Sequence, residues 1–142
     1  IERYRGKLSG PLLDRIDIHL AMTRLSHEEL HLNAPSGESS AAIRERVILA
    51  RQVQINRTGI CNAHLSQSQL KSHCQLASAN QDLLDKAMNA LQLSARATYR
   101  ILRVARTIAD LAGCDTIETP HLAEAIQYRQ LDRALALPKR RG

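Results

Sequence analysis

The sequence predicts a mainly α fold, a short N-terminal helix–strand segment followed by a bundle of about five helices. Three observations lead there. Helix start and stop residues recur beyond position 39, with Ser39, Ser66, Asn80, Ser94 and Thr119-Pro120 as starts and Gly59 and Gly113 as stops. Residues 94–112 carry apolar side chains at helical spacing. The chain has 142 residues, about one domain, and 44 % of them are hydrophobic but only 2 % aromatic, with no Phe or Trp. Its core must therefore be built from Leu, Ile, Val and Ala.

In chain order, Ser9-Gly10-Pro11 is a turn that starts a short helix from Pro11 to about Ile16, Pro being suited to the first helical position. Asp17 to Met22 alternates Ile18, Leu20 and Met22 with Asp17, His19 and Ala21, the period of a strand. Asn33 to Ser40 holds Pro35, Gly37 and three Ser and reads as a loop and the internal boundary. Ser39 or Ser40 caps a helix to about Arg57, stopped by Thr58-Gly59. Short helices follow from Ser66 to about His73 and from Asn80 to about Leu91.

The clearest element is Ser94 to Ala112, closed by Gly113. Ile101, Val104, Ala105, Ile108, Leu111 and Ala112 fall within an arc of about 120°, opposite Arg96, Arg100, Arg103 and Arg106. The last helix opens with Thr119 as cap and Pro120 at the first position and runs to about Leu135, before a frayed Lys/Arg tail.

Several function classes drop out. No apolar run approaches the 18 residues or so that span a bilayer, and no basic-then-apolar leader opens the chain. Three Cys at wide spacing make no disulfide framework, which fits a reducing, cytoplasmic setting. No phosphate loop, Gly-x-Ser-x-Gly elbow or His-Glu-x-x-His motif is present, so the chain alone is not expected to turn over a substrate. Cys61-x2-His64 and His73-Cys74 have zinc-ligand chemistry. Adjacent His73 and Cys74 would point apart on a helix, and no metal site is expected. The chain opens at Ile1 in what reads as continuing sequence, and is expected to be part of a longer protein.

The net charge is +6. Arg44, Arg46 and Arg51 have the charge to track a nucleic-acid backbone, but with Glu45 between them they read as a solvated face. Three Tyr do not make a base-stacking platform. Arg100 and Arg106 also read as solvated. For Arg96 two readings stand level, a solvated side chain or a phosphate contact: a cation in the first helical turn opposes the helix dipole, and exposed helix N–H groups lie beside it.

Two longer stretches carry a resemblance. Ser-Gly-Pro-Leu-Leu-Asp-Arg-Ile-Asp-Ile at 9–18 resembles the segment after sensor 1 in the magnesium-chelatase-like AAA+ ATPases. Leu-Ser-Ala-Arg-Ala-Thr-Tyr-Arg-Ile-Leu-Arg-Val-Ala-Arg-Thr-Ile-Ala-Asp-Leu-Ala-Gly at 93–113 resembles their sensor 2 helix, and His121 to Arg129 their final lid helix. The pattern is most similar to the ComM (YifB) family and extends from Ile1 to about Arg133.

The resemblance implies a helical bundle lid domain of an AAA+ ATPase at 34–142, preceded at 1–33 by the end of the ATPase core. It implies Arg15 as an arginine finger acting in trans and Arg96 as the sensor 2 contact to nucleotide phosphate. Asp14 and Asp17 flank Arg15 and are expected to orient its loop. The same resemblance implies ATP and Mg2+ in the intact protein, a homo-hexameric ring, and DNA as partner in branch migration during natural transformation. The Walker motifs of such proteins are not in this sequence, so the chain alone is expected to hold neither cofactor. Two alternatives remain open, the ATPase-subunit module of a magnesium chelatase and a free-standing basic helical DNA-binding domain.

Overall fold

The computed structural model describes residues 15–20, 22, 24 and 37–129. Among these residues five α-helices follow one another: α1 (Ser40–Thr58), α2 (Gln67–His73), α3 (Ser78–Leu91), α4 (Ala95–Leu111) and α5 (Thr119–Gln127). A single 3₁₀ turn, Asn62–His64, joins α1 to α2. The mainly helical expectation holds.

Each helix end has a local cause. The Ser39 hydroxyl accepts the Ala42 amide at the start of α1, and Gly59 ends it at φ +76°. Ser66 and Gln69 form a reciprocal capping box at α2. Ser94 accepts the Ala97 amide at α4. The far end of α4 closes with two further bonds, Cys114 N–H to Ala109 O at 2.9 Å and Gly113 N–H to Asp110 O at 3.2 Å. That is a Schellman pair, and it needs the left-handed φ of +70° at Gly113.

Two starts differ from the sequence reading. α3 begins at Ser78 rather than Asn80. Asn80 is buried instead, donating to Ile117 O at 3.2 Å and accepting from the Thr119 hydroxyl at 2.7 Å. The same bond takes Thr119 away from capping. Glu118 is the N-cap of α5 in a capping box with His121, and Pro120 falls one position later than expected.

α4 is the hub. It packs against α5, α1, α2 and the 3₁₀ turn, while α3 packs on α5. Ala97, Ile101, Ala105 and Ala109 lie along one i, i+4 row and are all buried. Three alanines in that row let neighbouring backbones approach closely. Leu65, Leu70, Leu84, Ile117, Leu122 and Ala125 complete the core, which is aliphatic as the composition requires.

The N-terminal segment corrects two expectations. Arg15 and Ile16 are not helical, and the rest of the expected Pro11–Ile16 helix lies outside the described residues. The described part of Asp17–Met22 is irregular, not a strand. Alternation alone cannot make a strand, because a strand needs a ladder partner. What residues 15–19 have instead is the end of the helical bundle, where His19 N–H donates to Tyr128 O at 2.8 Å. The expected extension of the last helix to Leu135 and the frayed tail lie outside the described residues.

Candidate functional site

Arg96 occupies the second position of α4, is exposed, and has no hydrogen-bond or ion-pair partner among the described residues. Ser94 takes the Ala97 amide, so the Ala95 and Arg96 amides remain at the open helix end without intrahelical acceptors. A guanidinium beside a helix N-terminus with free amides has the donor set that suits a polyphosphate.

Arg15 is also exposed. Its backbone, however, is held. Arg100 Nη1 donates to the Arg15 carbonyl at 2.9 Å and pairs with the Asp17 carboxylate. Arg100 lies one turn along α4 from Arg96, so the peptide of one candidate arginine is bound to the helix that carries the other. Arg129, fully buried at the end of α5, donates Nη1 to the Ile16 carbonyl. The Asp17 carboxylate accepts from Arg100, one of the contacts between this segment and α4. Asp14 lies outside the described residues.

The solvated readings of Arg100 and Arg106 do not stand. The Arg100 side chain is only 17 % exposed. Arg106 is buried at 2 % exposure. Its Nε donates to Asp110 Oδ1 at 3.1 Å, and its Nη groups donate to the carbonyls of Asp115 and Cys114 just beyond the helix end. Asp110 also receives Arg57 Nη2 of α1 at 2.5 Å and Asn62 Nδ2 at 2.8 Å. Gln54 Oε1 of α1 accepts the Asn62 amide at 3.1 Å.

This network explains why the buried face of α4 is displaced from the expected apolar arc. Ala97, Ile101, Ala105, Arg106, Ala109 and Asp110 are inside, while Leu111 is 45 % exposed. A paired and hydrogen-bonded charge can be buried where an isolated one cannot. Hydrophobicity patterning treats each charge as isolated. The i, i+4 spacing of Arg106 and Asp110 was the one legible sign of the pair. Nothing local marked Arg100, whose partners lie more than 80 positions away.

Among the described residues, the one set of three or more metal-ligating side chains in close reach is Cys114, Glu118 and His121. The His121 Nδ1 in that set already accepts the Glu118 amide at 3.1 Å as part of the α5 cap. Cys61, His64, His73 and Cys74 are not grouped in this way. Burial pushes the Cys74 thiol up to about 11, which disfavours the thiolate a metal would need. No helix among the described residues is long and apolar enough to cross a membrane.

Comparison with known proteins places this geometry in a family. The chain is 44 % identical over 135 residues, 95 % of its length, to competence protein ComM of Haemophilus influenzae. It is 41 % identical over 133 residues, 94 % of its length, to uncharacterized protein YifB of Escherichia coli, and equally so to YifB of Salmonella typhimurium. In each case it covers 26 % of the relative's own length. Residues 1–30 match the family described as magnesium chelatase, subunit ChlI. Residues 37–129, which contain all five helices, match magnesium chelatase, subunit ChlI C-terminal, and the chain belongs to that magnesium-chelatase-like family, among relatives of the ComM and YifB type.

Proposed function

We propose that this chain is the C-terminal part of a hexameric, cytoplasmic AAA+ ATPase that couples ATP hydrolysis to DNA remodelling. In this reading residues 1–33 end the ATPase core, and residues 34–142 form its lid. The observation that carries the reading is Arg96, a guanidinium that is exposed and has no partner among the described residues, at the second position of a helix rooted in the core. ATP with Mg2+ would be held mainly by the Walker motifs of the longer protein. From this chain, Arg96 contacts the nucleotide phosphates and Arg15 reaches the γ-phosphate at a neighbouring subunit. Both roles call for a permanent cation with a planar fork of donors. A finger acting in trans requires a neighbour, hence the ring. The net charge of +6 suits a protein that works on DNA.

The family description supports a second reading, in which the same module serves a magnesium chelatase. The deciding measurement is ATP hydrolysis by the full-length protein, with and without single-stranded and branched DNA. DNA stimulation that disappears in Arg15→Ala supports the DNA motor. Hydrolysis indifferent to DNA puts the chelatase reading first. Arg15→Ala is expected to keep ATP binding and lose hydrolysis by a factor of about 10³–10⁵. Arg96→Ala is expected to weaken the ATP dependence of the rate; an unchanged ATP titration would remove the sensor role.

A further inference from the structure

We propose that Arg100 is a positioning residue for Arg15, fastening the finger's backbone to α4 while leaving its guanidinium free to reach outward. The proposal rests on the reading of Arg15 as an arginine finger.

Residues 15–19 have no regular secondary structure, so no ladder or helical hydrogen bond fixes their dihedrals. Ordering such a stretch costs backbone entropy, and something must offset it. The bonds that hold it run to the bundle. Arg100 Nη1 serves two acceptors at once, the Arg15 carbonyl at 2.9 Å and the Asp17 carboxylate. Arg129 binds the carbonyl between them, that of Ile16. His19 N–H is taken by Tyr128 O at 2.8 Å. Ile18 lines a groove of about 310 Å³ together with Val104, Ile108 and Tyr128.

These contacts hold the Arg15–Ile16 peptide and the backbone that follows it, and none engages the Arg15 side chain, which is exposed. The donors are themselves rooted: Arg100 is mostly covered on α4 and Arg129 is fully buried. A transferring phosphoryl group demands close placement of the cation that stabilises it. A displacement of about 1 Å can cost on the order of 10²-fold in rate. Arg100 supplies that placement and refers it to the helix that also carries Arg96.

The test uses the full-length protein and separates kcat from ATP affinity. Arg100→Met is expected to lower kcat by about 10- to 100-fold while ATP Kd stays within about twofold. Arg100→Lys is expected to recover most of the loss, because one ammonium nitrogen can serve both acceptors. Asp17→Asn is expected to lower kcat by a smaller factor. It also guards against misfolding of the Met variant, since Asp17 is half exposed and its loss leaves the bundle intact. In an Arg15→Ala background, Arg100→Met should reduce the residual single-turnover rate no further. Wild-type kcat in both Arg100→Met and Asp17→Asn, with Arg15→Ala inactive, overturns the proposal alone. A fully active Arg15→Ala overturns the finger reading and the proposal with it. If Arg100→Met does not fold, Asp17→Asn decides, and wild-type kcat there overturns the proposal.

Discussion

Asp110 is the residue on which the polar interior turns. It receives Arg57 from α1, Arg106 from its own helix and Asn62 from the 3₁₀ turn, and its side chain is 1 % exposed. Removing it leaves two guanidinium groups facing each other, Arg106 with little access to water. Asp110→Ala is therefore expected to cost about 3–5 kcal/mol of stability, read as a lowered urea midpoint at unchanged slope. A loss under about 1 kcal/mol would mean that the pair is easily rehydrated. The contrast with Arg46 is instructive. Its ion pair with Glu38 is exposed on both sides, so its removal is expected to change little.

At the scale of elements, α1 shows how a weakly amphipathic helix can dock. Only Ala50 and Gln54 are buried along its 19 residues, while Ile48 and Leu49 are exposed. Its attachment combines the burial of Ala50 with polar contacts, Arg57 to Asp110 of α4 and Gln54 to Asn62 of the 3₁₀ turn. α4 depends more on its end. Gly113 adopts φ +70°, and a side chain there would meet no neighbour, so only backbone strain opposes substitution. Gly113→Ala is expected to cost about 1 kcal/mol, which lowers the thermal midpoint by about 4–8 °C in a domain of this size. Thermal unfolding followed by circular dichroism checks it, and no change would show that the Schellman turn tolerates an L side chain.

For the whole molecule, the core cluster lies entirely within residues 65–125, inside the segment that matches the C-terminal family domain. Residues 37–129 produced alone are accordingly expected to be helical and monomeric, with cooperative unfolding. Sedimentation and a thermal melt check this. A stable hexamer would place the ring contacts in the lid itself, and a non-cooperative melt would show that the bundle needs the segment around Arg15. That segment is the structural link of most interest, because the backbone beside one candidate arginine is bonded to the helix of the other.

Much of this was legible in the sequence because its causes are local. Ser39, Ser66 and Ser94 cap where a short hydroxyl meets free amides, and Gly59 and Gly113 stop helices where only glycine enters the left-handed region without strain. The aliphatic core follows from a composition without Phe or Trp. The place of Arg96 in the first turn of α4, a charge set against its own helix dipole, was legible for the same reason. Tertiary structure alone decided the rest. Asn80 left the role of helix start to bridge to Ile117 and Thr119, and residues 17–20 found the end of a bundle instead of a strand partner. Arg100 turned inward because its partners sit on a segment that only folding brings near, and Arg106 because carbonyls beyond the helix end add to its i, i+4 partner Asp110. A charge is solvated by default. It is buried only when a specific acceptor offsets the loss of water, and the identity of that acceptor is a property of the fold.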